Sequence, residues 1–396
     1  MGVSSCGLFA NSWHQYSDQD LSQVEVYLLS MGPAGDLFSS AGHAILRVKD
    51  PVAHTDDMVD WGAYSEEDPL LLLHFIRGTS EYHLKISPMS PTFEQNMALY
   101  PRDVFQERLV LTTQQKRKFF TIVDKWVNQP TYLYHVWKQN CCSIIAESLD
   151  TALDGALSVH LSPNKTDVTY RALWGQYFGD WAVLVLVADL LLNGEADRPL
   201  TEWDLRFSPM FLRPMLAKLS VLENTGSEIS TPLLVEGVQL HRNPIALGGN
   251  GMRGYWILLG FFGLLFALSF GFQRMGRPRL ARAGLLTLQN SWALFSVFVS
   301  IMVLVVSFVS YREYFHFSAV LWLFWPVDLL FMGCNPSPRK ALFQHRLIGA
   351  HLGALVLLAI LSGTRYIEQN ISHLAFYLAP ISLWSWMAVR AQANRA

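Results

Sequence analysis

Tyr132-Leu133-Tyr134-His135-Val136-Trp137-Lys138-Gln139-Asn140-Cys141-Cys142-Ser143 is the stretch on which the fold turns. An aromatic run gives way to Asn140-Cys141-Cys142-Ser143, and from there Ile144, Ile145, Leu149 and Leu153 recur at helical spacing. The pattern predicts a helix with a cysteine at its mouth. A thiol there is favoured as thiolate, because unpaired backbone N–H groups and the helix dipole stabilise negative charge. Either Cys141 or Cys142 would benefit.

Upstream, the chain reads as strands. Val24 to Ser30 alternates and ends at Gly32-Pro33; Ala44 to Val48 and Met58 to Trp61 read likewise, as do Ser80 to Ile86 and Phe105 to Leu111. Thr113 opens a helix to about Trp126, with Phe119, Phe120, Val123 and Trp126 on one apolar face and Asn128-Gln129-Pro130 as its stop. Strands and helices in this order predict an α+β domain. Thiol chemistry also needs an imidazole that takes and returns the proton, and a polar group that orients the ring. His43, between Gly42 and an apolar strand, is the best-placed histidine. Spacing alone leaves open both a reactive pair and a buried cysteine with a turn histidine.

Composition adds a second region. Of 396 residues, 51% are apolar and 16% charged, well below the charge content of an average soluble chain. Residues 1–253 carry 19 Lys+Arg and 29 Asp+Glu, a net −10, whereas 254–396 carry 11 and 3, a net +8. Gly254 to Phe272 and Ala283 to Ser310 hold no charge and reach the length that spans a bilayer. Three shorter apolar stretches, about Phe317 to Met332, Leu347 to Ser362 and Ile371 to Met387, predict further spans, five in all. Basic residues alternate between the connections: Arg274, Arg277, Arg279 and Arg282; Arg312 beside Glu313; Arg339, Lys340 and Arg346; Arg365 with Glu368; Arg390 and Arg395. The positive-inside rule then puts the C-terminus in the cytoplasm and the N-terminal region across the membrane. Residues 1–21 hold no basic segment followed by an apolar core that would read as an export signal. Asp328, within the third stretch, reads as a residue that reaches headgroup water in preference to an intramembrane functional acid. Ala182 to Leu192 is too short to span and reads as a buried or interfacial helix of the soluble part.

Several classes fall away. No basic stripe with interleaved aromatics marks a nucleic-acid binder. Cys6, Cys141, Cys142 and Cys334 fit neither a zinc spacing nor a disulfide framework. No H-E-x-x-H, G-x-S-x-G or phosphate-cradling glycine loop occurs, so neither metal nor cofactor is expected.

Ordered blocks carry a resemblance. Ser39 to Val48, with Gly42-His43 and Leu46-Arg47-Val48, resembles the "S-x-x-G-H-x-x-L-R-V" block of the Lnb-type bacterial lipoprotein N-acyltransferase family. Asp57 to Gly62 resembles its "D-x-V-Y-N-Y-G" strand, with Asp60 where the pattern has Asn. Phe75 to Gly78, Arg108 to Thr112, Tyr132 to Ser143, Thr169 to Arg171 and Leu191 to Gly194 follow in order, so the likeness covers about residues 22–242. It implies a papain-like thiol fold in permuted order, the histidine strand before the cysteine helix. It places Cys141 as nucleophile and His43 as base, with Cys142 in a slot usually filled by a small residue. Asp60 is the expected orienting group, and Arg47, Tyr134 and Asn140 are expected at the substrate, with Arg102 a weaker candidate.

The organisation expected is an N-terminal segment 1–21, a papain-like catalytic domain 22–160, a helical accessory extension and linker 161–253, and a transmembrane domain 254–396. The resemblance implies transfer of an acyl chain from a phospholipid, or from the lipoprotein's own second chain, to the N-terminal amine of diacylated lipoproteins. The site would face the periplasm from a bacterial inner membrane. A membrane-tethered cell-wall peptidase or amidase and a non-enzymatic membrane assembly factor are the other readings.

Overall fold

The computed structural model describes residues 16, 20–65, 67–129, 131–222, 230–243, 252–331, 338–364, 369–370 and 372–393. Cys6, Cys334, Arg365, Glu368, Arg395, most of segment 1–21 and residues 223–229 lie outside the described residues. The chain divides into two units, Met1–Val168 with Pro199–Leu247, and Thr169–Arg198 with Gly248–Ala396.

The first unit is a mixed α+β domain. In chain order it contains β1 (Glu25–Met31), β2 (His43–Asp50), β3 (Thr55–Tyr64), α1 (Leu71–Arg77), β4 (Glu81–Pro88), α2 (Met89–Leu99), β5 (Val104–Leu109), α3 (Thr113–Val127), β6 (Tyr132–Leu133), α4 (Cys141–Ala152) and α5 (Ala156–Leu161). Its sheet runs β6-β4-β3-β2-β1-β5-β9, antiparallel at every pairing, where β9 is Leu234–His241. One face packs on α3 and α4, burying Leu28, Leu46, Val59, Phe119, Ile145 and Leu149. Each such fully buried side chain contributes about 1.5–3 kcal/mol. The other face buries Leu29, Ile45, Met58 and Val104 with Met89 and Met97 of α2. Because both faces are covered, β1 shows an apolar run in place of strict alternation. Thr112 and Gln115 close a capping box at the start of α3, which is why the helix begins where the sequence turns polar.

The strand β9 lies within the stretch 161–253 that the sequence suggested as helical extension and linker. It pairs with β5 as the sheet's edge, a partnership between segments more than 120 residues apart that local patterning does not reveal. A two-stranded ribbon, β7 (Ser220–Leu222) and β8 (Ser230–Pro232), precedes it.

The second unit is all-helical apart from its connections. It contains α6 (Tyr170–Tyr177) and α7 (Ala182–Leu191), then α9 (Arg253–Arg274), α10 (Pro278–Val309), α11 (Pro338–Gly363) and α12 (Ser372–Ala393), with α8 (Pro209–Ala217) belonging to the first unit. Thus Ala182–Leu191 sits with the C-terminal helices and not within an accessory extension of the soluble part. Arg171 of α6 donates to Asp189 and Asp197, and Tyr255 Oη of α9 donates to Asp189 Oδ2 at 2.5 Å. A buried arginine held between two carboxylates, one of which also accepts from a tyrosine, ties these helices together.

Three helical stretches, Arg253–Arg274, Pro278–Val309 and Arg346–Gly363, are long and apolar enough to cross a membrane among the described residues. The expected third span is different. Ala319–Trp322 and Pro326–Phe331 form 3-10 turns, not a continuous α-helix. Pro326 supplies no N–H and its ring crowds the preceding turn, which disfavours a regular helix there. Asp328, expected to reach headgroup water, is instead fully buried: His351 Nε2 lies 2.9 Å from its Oδ1, and Ser296 Oγ donates to its Oδ2. His351 Nδ1 donates to the Leu323 carbonyl at 2.9 Å, which fixes the ring with its Nε2 towards Asp328. Irregular backbone among apolar helices needs its polar groups satisfied within the protein, and these bonds do so for the Leu323 carbonyl and the Asp328 carboxylate.

Candidate active site

The site forms where β2, β3 and the N-terminus of α4 meet. Asn140 caps α4: its Oδ1 accepts from Ser143 N at 2.9 Å, Ser143 Oγ accepts from Asn140 N at 2.8 Å, and its Nδ2 donates to the carbonyls of Val136 and Phe207, each at 2.9 Å. Every polar atom of that side chain is used. Asn140, expected at the substrate, is therefore placed as the cap that sets Cys141 in the first turn.

Cys141 Sγ lies 3.1 Å from His43 Nδ1, and His43 Nε2 lies 2.9 Å from Asp60 Oδ1. Two details of β2 and β3 make this possible. Gly42 has φ of +82°, and a Cβ there would approach the Met31 carbonyl oxygen to 2.6 Å, so the residue before His43 needs glycine. Beyond Asp60 the β3/β4 register shifts, and the Gly62 N–H donates to Asp60 Oδ1 at 2.6 Å, holding the carboxylate under the imidazole.

The electrostatics follow from these contacts. A hydrogen bond from Cys142 is the strongest influence on Cys141; it outweighs burial with the help of His43 and the Ala44 N–H, and holds the thiol well below its ordinary range. Burial pushes the Cys142 thiol well up, so it stays protonated and donates; its sulfur lies 3.8 Å from that of Cys141. Burial lowers the His43 pKa, but the charges of Asp60 and Cys141 and their hydrogen bonds overcome this and lift it to about 10. Asp60 is held low, the charge of His43 overcoming burial. The arrangement is a thiolate and a carboxylate on either side of an imidazolium that donates to both.

Next to the pair is a cavity of about 250 Å³. Phe38, Tyr64, Tyr82 and Tyr134 form one wall, with successive ring centroids 5.6, 5.1 and 4.2 Å apart. Tyr134 thus lies where the sequence expected a substrate contact. Arg47 does not: its Nε and Nη2 donate to Asp56 at 2.7 and 2.6 Å and its Nη1 to Gln106 at 2.8 Å, away from the cavity. Arg102 and Lys85 line the cavity in its place. Lys85 was not legible in the sequence, because its position opposite Asp60 depends on the pairing of β3 with β4. Among the described residues, no group of three or more His, Cys, Asp or Glu could hold a metal ion.

Residues 10–176 match the family model described as the Lnb N-terminal periplasmic domain. Over these residues the chain is similar to the Lnb N-terminal periplasmic domain. The match runs through His43, Asp60 and Cys141, so all three lie within the matched residues. No curated protein and no solved structure matches the chain.

Proposed function

We propose that this protein is a cysteine-dependent N-acyltransferase of lipoprotein maturation, with a papain-like domain in permuted order. Cys141 thiolate attacks the carbonyl of a lipid ester. The carbon–sulfur bond forms as the bond to the glycerol oxygen breaks, and His43 passes its proton to that oxygen. The free N-terminal amine of a diacylglyceryl lipoprotein then attacks the thioester, His43 takes its proton, and the amide forms as Cys141 leaves as thiolate. N–H groups of the first turn of α4 stand where the oxyanion develops, an effect worth roughly 3–4 kcal/mol per donor in a known protease.

The observation that carries this reading is the single imidazole bridging Cys141 Sγ and Asp60 Oδ1 at the mouth of a capped helix. The aromatic wall suits an acyl chain better than a peptide. Apolar helices suit a chemistry whose two substrates are both held in a membrane, with the C-terminal region crossing it five times, one crossing by the irregular segment around Asp328. The site then faces the periplasm from the bacterial inner membrane.

Mass spectrometry of a lipoprotein N-terminus, from cells whose only N-acyltransferase is this chain or its Cys141→Ala variant, tests the reading. The expected result is an N-acylated cysteine with the former and a free amine with the latter. An acylated N-terminus with Cys141→Ala would overturn it.

A further inference from the structure

The cavity contains a charge that the mechanism above leaves unused. Arg102 is 4% exposed and lines the cavity with Cys141 and His43, yet its Nε and Nη1 have no hydrogen-bond partner. No ion pair compensates it, although Asp36 lines the same cavity. Asp36 Oδ1 accepts from the backbone of Phe38 and Ser39 at 3.0 Å each, while its Oδ2 is buried with no hydrogen bond, so its charge acts on Arg102 without forming an ion pair. Most buried guanidinium groups are fully paired, because leaving a charged donor unsatisfied costs more than a neutral one. Arg47, Arg108, Arg171 and Arg206 of this chain all pair with carboxylates. Arg102 has no such pair, and it is the arginine that lines the cavity beside the nucleophile. Lys85 adds a second positive charge to the lining, at its exposed edge.

We infer that Arg102, with Lys85, is an anion subsite for the phosphodiester of a glycerophospholipid, which makes that lipid the acyl donor. This rests on the acyltransfer reading above and selects between its two donors. The glyceryl group of a lipoprotein is joined to its cysteine by a thioether and bears two esters but no anion. A glycerophospholipid carries a phosphodiester within a few bonds of each ester, and a planar fork of N–H donors fits two of its oxygens. With the phosphate on Arg102, an ester carbonyl is presented to Cys141. Attack forms the thioester, the glycerol oxygen leaves with the His43 proton, and a lysophospholipid that still carries its phosphate departs.

The test uses the full chain in neutral detergent micelles and follows acylation of Cys141 by intact-protein mass spectrometry. The donors are phosphatidylglycerol, phosphatidylethanolamine and a diacylglycerol of the same chains. The expected result is that both phospholipids acylate Cys141 about ten- to a hundredfold faster than diacylglycerol. Arg102→Gln should remove that preference while leaving diacylglycerol acylation in place, and Arg102→Lys should restore part of it. Glycerophosphoglycerol should compete with phosphatidylglycerol, and inorganic phosphate at the same concentration should compete less. Equal rates with all three donors in the wild-type chain would overturn the inference, a measurement that needs no variant to fold. So would equal slowing of every donor by Arg102→Gln, which would make Arg102 a structural counter-charge, or equal competition by inorganic phosphate, which would make the subsite a free-phosphate site. Absence of acyl-Cys141 from any donor would overturn the acyltransfer reading itself.

Discussion

Gly62 leaves the space that the His43 ring occupies: a Cβ at residue 62 would stand 2.4 Å from His43 Cε1 and 3.1 Å from Asp60 Oδ1. Both neighbours belong to the candidate site, so a methyl group there displaces the imidazole, the carboxylate or both. Gly62→Ala is expected to fold, since the clash is with side chains, and to lose acyltransfer about a hundredfold through misplacement of the reacting groups. Activity and circular dichroism of the same preparation check this; activity near wild type would mean that the ring position is not critical.

The imidazolium has a defined working range. Its pKa near 10 and the depressed thiol of Cys141 keep the ion pair populated across neutral pH and up to about pH 10. For stability the sign is that of a raised base: the contribution of His43 is present in full below its ordinary value near 6.5 and is lost as pH rises through about 10. Asp60→Asn removes the charge that supports the imidazolium, so the alkaline limb of the pH–rate profile should move to lower pH, with a loss of about tenfold or more at neutral pH. An unmoved alkaline limb would show that Asp60 does not act on the ring.

Cys142 is the largest influence on the thiol next to it. Cys142→Ala should raise the pH at which Cys141 reaches half its maximal alkylation rate by iodoacetamide, and leave acyltransfer at alkaline pH little changed. The variant also removes the second thiol from the labelling experiment. If the alkylation profile does not shift, the 3.8 Å sulfur contact has no electrostatic role.

Asn140 tests the scaffold separately from the chemistry. Asn140→Ala removes the cap of α4 and leaves the Val136 and Phe207 carbonyls without their donor. A loss of about 1–3 kcal/mol is expected from the cap and the buried carbonyls together, read as a lower Tm and denaturation midpoint. Unchanged thermal stability would mean that the loop before Cys141 holds itself.

In the C-terminal region, Asp328→Ala leaves His351 and Ser296 buried without their common partner. A loss of about 3–5 kcal/mol is expected, as for breaking one side of a buried pair, seen as a reduced Tm of the full chain in detergent. A melting temperature equal to that of the wild type would show that the irregular segment does not depend on this pair.

The parts of this protein that were legible in its sequence are those written in local pattern. The strands around His43 and Met58, the amphipathic helix at Phe119 and the cysteine at the mouth of a helix each follow from spacing within a dozen residues. The pairing of β9 with β5 and the approach of Lys85 to Asp60 were not, because strand pairing between distant segments leaves no local periodicity. The ordered blocks singled out Arg47 and Asn140, but a motif does not tell a residue that touches substrate from one that holds the scaffold. Arg47 is spent on Asp56 and Gln106, Asn140 on the cap, and the guanidinium with unpaired nitrogens in the cavity lining is that of Arg102. The stretch around Asp328 had the composition of a span but folds as 3-10 turns held by Ser296 and His351.

The most direct measurement is the mass of the full-length chain after brief mixing with phospholipid and no acceptor. The account predicts an increment of one acyl chain located on Cys141, removed by neutral hydroxylamine, and absent from Cys141→Ala. No increment, or one carried by Cys142 or by an oxygen ester that resists hydroxylamine, would contradict it.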